Sequence, residues 1–165
     1  MSSTPDFSIR HEHHFGDRIV RCYQNRPTSV LDSFLASVAR APEADCIVCN
    51  GERLSYRETA DRADAMAAQL RYRGVEPGDR VGLLIGNSTE LVLSVLGVLR
   101  AGAIVMPLNI REQAPGLRYM LEHSDARAVI HDAGEAAKLP SPDDLPGLRH
   151  RFAIGSTDGF SEPFD

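Results

Sequence analysis

The chain has 165 residues, enough to enclose one real hydrophobic core, with 42% hydrophobic and 25% charged residues, the balance of a soluble globular protein. A net charge of −5 without any basic stripe argues against a nucleic-acid or anionic-membrane surface. No apolar run reaches membrane-spanning length and the MSSTPDFSIRHEHH start lacks a signal-peptide core, so the cytoplasm is the expected address.

Residues 1–27 read as a polar, irregular N-terminal arm punctuated by Pro5, Gly16 and Pro27. His11, His13 and His14 cluster there, with Glu12 and Asp17 close in sequence. A metal site needs further ligands on a rigid frame, so the segment is read as solvated and no metal ligand is assigned. Thr28 or Ser29 then caps a first helix, whose apolar face is Val30, Leu31, Phe34, Leu35 and Val38. Pro42 ends it. Asp45–Cys49 reads as a strand, Asn50–Gly51 as a tight hairpin turn, and Arg53–Ser55 as the returning strand.

Cys22, Cys46 and Cys49 are too few for a paired disulfide framework. Cys46 and Cys49 have CxxC spacing, but residues three apart on a strand point to opposite faces. They are therefore read as buried or half-buried thiols and not as a redox or metal pair.

Tyr56–Arg73 is expected to be a second helix with Ala63, Met66, Ala67 and Leu70 inward. Glu58, Asp61, Arg62, Asp64 and Arg71 form its solvated face. Gly74 closes it, and Pro77–Gly78–Asp79 turns into an apolar strand, Arg80–Ile85, suited to the centre of a parallel sheet. Asn87 or Ser88 caps a third helix, with Glu90 placed for a capping box. This strand–turn–helix start could hold an anion, but it matches neither GxGxxG nor a GKS/GKT loop, so it is read as an ordinary capped turn. The helix is apolar on nearly every side and expected to be buried within a larger structure. Arg100 suits its C-terminal dipole, Gly102 its left-handed end, and Ala103–Met106 follows as a buried strand stopped by Pro107.

A fourth helix is expected over Ala114–His123, with Pro115 in its first turn and Leu117, Met120 and Leu121 inward. Arg127–His131 follows as a strand, Gly134–Lys138 as a short helical piece, Pro140–Gly147 as a loop and Leu148–Ile154 as the last strand. Residues 155–165 read as a loop at a truncation point. The fold class is therefore α/β, a mainly parallel sheet of βαβ units with flanking helices and a β-hairpin near the start.

Four stretches together resemble the N-terminal part of adenylate-forming (AMP-binding) enzymes, most like acyl-CoA synthetases or carboxylate–CoA ligases. Leu54–Glu58 resembles the family's LTYxEL, Gly74–Val81 its GVxPGDRV, Leu99–Asn109 its LKAGAxxxPLN, and Leu117–Ser124 with Ala126–Ile130 its LxYxLxxSxAKxxI. Asn109 leans toward the ligases, which often read PLNPR where this chain departs at Ile110, and away from peptide-synthetase domains, which tend to carry Asp at that corner.

The resemblance covers residues 28–154 and implies an N-terminal subdomain. The parent enzyme would use ATP, Mg and CoA to convert a carboxylic acid to an acyl-adenylate and then a thioester. The family's phosphate loop, nucleotide- and metal-associated residues and mobile C-terminal domain have no match here, since Ser156–Gly159 lacks the repeated glycines and the lysine. No catalytic, cofactor-binding or metal residue is carried over, and Arg111 is read as a solvated loop arginine. The chain alone is expected to be inactive and to bind no cofactor. Its expected partners are the downstream half and C-terminal domain of the same enzyme, with self-association through exposed apolar faces. Three other readings stay open: a naturally short scaffold or interaction module, a fragment of a peptide-synthetase-type adenylation domain, and a self-standing nucleotide-binding domain using Gly86–Glu90.

Overall fold

The computed structural model describes residues 8–155 and 162–164. Its elements are β1 (Ile9–His14), β2 (Arg18–Tyr23), α1 (Val30–Arg40), β3 (Asp45–Cys49), β4 (Glu52–Ser55), α2 (Tyr56–Tyr72) and β5 (Arg80–Leu84). They continue with α3 (Thr89–Arg100), β6 (Ile104–Pro107), α4 (Ala114–His123), β7 (Ala126–Asp132), a 3-10 turn at Ala133–Lys138, β8 (His150–Ile154) and β9 (Glu162–Pro163). The chain divides into two compact units, Met1–Ala36 and Ser37–Asp165. No helix among the described residues is long and apolar enough to cross a membrane.

In the first unit the expected irregular arm is corrected. β1 and β2 pair antiparallel from Ile9↔Tyr23 to His14↔Arg18, closed through Phe15 and Gly16, both at positive φ. The segment's polarity hid the strands, because a two-stranded ribbon with both faces near water needs no apolar alternation. Ser29 caps α1 by accepting from the Asp32 amide at 3.0 Å. The helix forms as expected, yet none of its residues is buried and Val30 is 69% exposed.

In the second unit five parallel strands are ordered β6-β5-β7-β8-β9. β5 connects through α3 to β6 on one side, and the chain then returns through α4 to β7 on the other. Connections of one hand leaving in opposite directions put the two helices on opposite faces. The packing agrees: Val81, Leu83, Ala128, Ile130 and Phe152 meet Val98 and Ala101 of the α3 region on one face. Leu84, Val129 and Leu148 meet Leu117 and Leu121 of α4 on the other. The β3–β4 hairpin adds a smaller cluster, with Ile47 and Leu54 against Leu93.

Three expectations change here. β6 is an edge strand and not a buried one: Ile104 is 51% exposed, and Pro107 at the Leu83 register can donate to no further strand. Nor does the chain simply run out after residue 154. The Phe164 amide donates to the Ala153 carbonyl at 2.9 Å, and the Phe164 ring packs 5.1 Å from that of Phe152. Finally, with Ser88 as the cap of α3, the N3 residue is Leu91, so Glu90 falls one position short of a capping box.

The capping box belongs to α2 instead. Ser55 Oγ accepts from the Glu58 amide at 3.2 Å, and Glu58 Oε2 accepts from the Ser55 amide at 2.8 Å. The Ser55 amide, and the Ser55 hydroxyl that donates to the same oxygen at 2.8 Å, hold the Glu58 carboxyl below its usual value. Ser55→Ala should cost about 1 kcal/mol, read as a lower urea midpoint at unchanged slope. The Glu58 contribution is present above the ordinary carboxylate pKa and fades as pH falls through the lowered one.

Two further residues of the charged face of α2, which is exposed as expected, also reach neighbouring groups. Asp64 pairs with Arg100, and Arg71 Nη1 donates to the Arg100 carbonyl at 2.9 Å, closing the C-terminal end of α3.

Candidate functional site

The sheet has two ends with different chemistry. At the N-terminal ends of its strands the stretches singled out in the sequence lock onto one another. The Gly78 amide donates to the Gly102 carbonyl at 2.9 Å, and the Ile104 amide to the Asp79 carbonyl at 2.8 Å. Arg80 Nε donates to the Ser124 carbonyl at 2.9 Å, and its Nη2 to the Asp125 carbonyl and Oδ2 at 2.8 and 2.7 Å. The PGDR turn, the RAGA corner and the HSDA turn are thus one hydrogen-bonded assembly. What they do is fix the strand starts.

Ligands of open parallel sheets bind at the opposite edge, where connections leave a strand pair in opposite directions. Here that point lies between β5 and β7. The Gly86 amide there donates to Asp132 Oδ2 at 2.7 Å, across the carboxyl ends of the two strands. A cleft of ≈ 340 Å³ adjoins it, lined by Gly86, Asn87, Leu91, Leu108, Asn109 and Arg111 among others.

The anion reading of Gly86–Glu90 fails on this geometry. Ser88 Oγ takes the Leu91 amide at 3.2 Å, Thr89 Oγ1 donates to Glu52 Oε2 at 3.0 Å, and Asp132 takes Gly86. Two carboxylates of the chain already stand at this helix start, and a further anion would meet their charge. Asn109, at the end of the corner, folds its own loop: its Oδ1 accepts from the Arg111 amide at 3.0 Å. Arg111 itself is exposed at the rim. Asp132 and Glu52 carried no sequence signal as partners of this turn, since the positions they serve lie 46 and 37 residues away.

Cys46 and Cys49 are half-buried, and the opposite-face geometry expected of them is corrected. Both thiols are free, Cys46 lies at a bulge between Asp45 and Ile47, and both pack against the Ile47–Leu54–Leu93 cluster. The histidine trio is split, with His11 and His13 exposed and His14 half-buried beside Glu12 and Cys22. Among the described residues this trio is the one group of three that could hold a metal. Its nitrogen and sulfur do not suit Mg²⁺, which takes oxygen ligands. Ser156–Gly159 lies outside the described residues.

The fold now agrees with a sequence match. The AMP-binding enzyme profile aligns with residues 34–158. This chain belongs to the AMP-binding enzyme family. One AMP-binding relative is a medium/long-chain-fatty-acid–CoA/3-oxocholest-4-en-26-oate–CoA ligase of Mycobacterium tuberculosis, 32% identical over 137 residues, 82% of this chain and 25% of that protein. Tyrocidine synthase 3 of Brevibacillus parabrevis is 35% identical over 118 residues, 72% of this chain and 2% of that protein. Among solved structures, the anthranilate CoA ligase AuaEII in complex with anthranoyl-AMP superposes with a TM-score of 0.71 at 26% identity, over 75% of this chain and 24% of that one. The chain therefore spans about a quarter of the length of the CoA ligases it matches.

Proposed function

We propose that residues 28–154 are the N-terminal subdomain of a carboxylate–CoA ligase and act as its scaffold. In the whole protein a carboxylate oxygen attacks the α-phosphorus of ATP, pyrophosphate leaves, and a thiol then takes the acyl group from the adenylate with release of AMP. The observation that carries this reading is the alignment of 82% of the chain with only 25% of a CoA ligase. The switch-point geometry supports it, because the turn that resembles an anion cradle gives its Gly86 amide to Asp132 and its Thr89 hydroxyl to Glu52. Binding of the triphosphate, and the electrostatic stabilisation that drives adenylation, are then work for the downstream residues.

The half-exposed Leu91, Val95 and Leu99 on α3, with exposed Val92 and Ile104, suit cover by the rest of the same enzyme; in the isolated chain they favour self-association.

Carboxylate-dependent exchange of pyrophosphate into ATP tests the reading. The 165-residue chain should show none with fatty or aryl acids, whereas the full polypeptide should show exchange and deliver the acyl group to CoA. Exchange by the chain alone would defeat the scaffold reading. A full polypeptide that forms the adenylate but loads only a carrier-protein thiol would transfer the assignment to the peptide-synthetase type. A native mass of 18.1 kDa would favour the short interaction module.

A further inference from the structure

The first unit holds a group of side chains that the ligase reading does not use. Glu12 and His14 are two apart on β1 and share a face. Cys22 on β2 pairs with Arg10, which puts it on that same face. Glu12 Oε2 lies 2.8 Å from His14 Nε2, and Cys22 Sγ lies 3.9 Å from the same nitrogen. One ligand atom from each of the three residues falls within 4.8 Å of the others. In a tetrahedral zinc site such atoms stand about 3.3–3.8 Å apart, so small side-chain movements bring all three onto one ion.

We propose that Glu12, His14 and Cys22 form a three-ligand site for a zinc-class divalent cation, pinning β1 to β2. The donor set selects the metal: imidazole and thiolate prefer Zn²⁺ or Co²⁺ to Mg²⁺ or Ca²⁺, and three protein ligands leave one position for water. Arg26 stands in for the cation when none is bound. Its Nη2 donates to Glu12 Oε2 at 2.7 Å and lies 3.4 Å from His14 Nε2, while Arg10 Nε donates to the other oxygen, Oε1, at 2.5 Å. Both arginines and His14 hold the Glu12 carboxyl down to about 2, with Arg10 the largest influence. Binding displaces Arg26 from Oε2 and releases the Cys22 thiol proton to solvent. The exchange is of one cation for another.

Titration of the reduced, metal-free chain with Co²⁺ is the test. One equivalent should bind, with a thiolate-to-cobalt charge-transfer band in the near ultraviolet and visible bands of tetrahedral cobalt; Zn²⁺ should displace it. Cys22→Ser should abolish the charge-transfer band, and Glu12→Gln should weaken binding at least tenfold. Arg26→Gln should tighten binding about tenfold by removing the competing charge. The Cys46→Ser/Cys49→Ser and His11→Gln/His13→Gln double variants should retain the band, which separates this site from the other thiols and imidazoles. Absence of the band in the parent chain, or its persistence in Cys22→Ser, would overturn the assignment. So would its loss in the Cys46→Ser/Cys49→Ser variant with the circular dichroism of the fold intact. No outcome depends on ligase activity.

Discussion

Phe152→Ala should lower unfolding stability by about 3–5 kcal/mol, the largest single loss expected in the second unit. Phe152 is fully buried in β8, between Ile130 of β7 and the β9 segment, on the sheet face that meets the α3 region. Its ring lies 5.1 Å from that of Phe164 and 5.9 Å from that of His150, with the Arg73 guanidinium 5.7 Å from its centroid. Truncation removes the buried ring, leaves a cavity under two aromatic neighbours and deprives the Arg73 cation of its π face. Against a net stability on the order of 5–15 kcal/mol, such a loss is decisive. Urea denaturation followed by circular dichroism would read it as a midpoint drop at constant slope. A change below about 1 kcal/mol would mean that the site collapses around the smaller side chain, contrary to the usual behaviour of close-packed cores.

Gly102→Val should cost about 2–4 kcal/mol, for two separable reasons. Gly102 has φ +83°, where a β-branched residue is strained. There it ends α3 with a paired closure: the Gly102 amide donates to the Leu99 carbonyl and the Ala103 amide to the Val98 carbonyl, each at 3.1 Å. A Cβ at this position would also stand 3.3 Å from Pro77 Cβ, in the turn whose Gly78 amide is bonded to the Gly102 carbonyl. Gly78→Val separates the two causes. Gly78 has φ +88° but nothing within 4 Å of an added Cβ, so it should lose only the backbone part, about 1–2 kcal/mol. Equal melting-temperature losses in the two variants would show that the Pro77 contact carries no weight.

The family resemblance and the structure thus point to the same residues for different reasons. Pro77, Gly78, Asp79, Arg80, Gly102 and Ser124 are identifiable as a pattern in the chain. Their bonds place them at the strand starts, away from the edge where ligands of such sheets bind. A recognisable sequence pattern marks a folding joint here.

What the sequence alone determined is local. The helices over Val30–Arg40, Tyr56–Tyr72, Thr89–Arg100 and Ala114–His123, the Asn50–Gly51 hairpin and the βαβ alternation all follow from periodicity, caps and turn residues, which act within a few positions. Only the tertiary structure decided the strand order that makes β6 an edge, the return of Phe164 onto Phe152, and the bulge that turns Cys46 toward the Ile47 cluster. The same holds for the carboxylates of Asp132 and Glu52 at the start of α3, and for Glu12, His14 and Cys22 on one face of a polar hairpin. Each of these depends on partners distant along the chain or on a single inserted residue. Hydrophobic period reports how deeply a position is buried; which distant group meets it there is set by the packing of the whole unit.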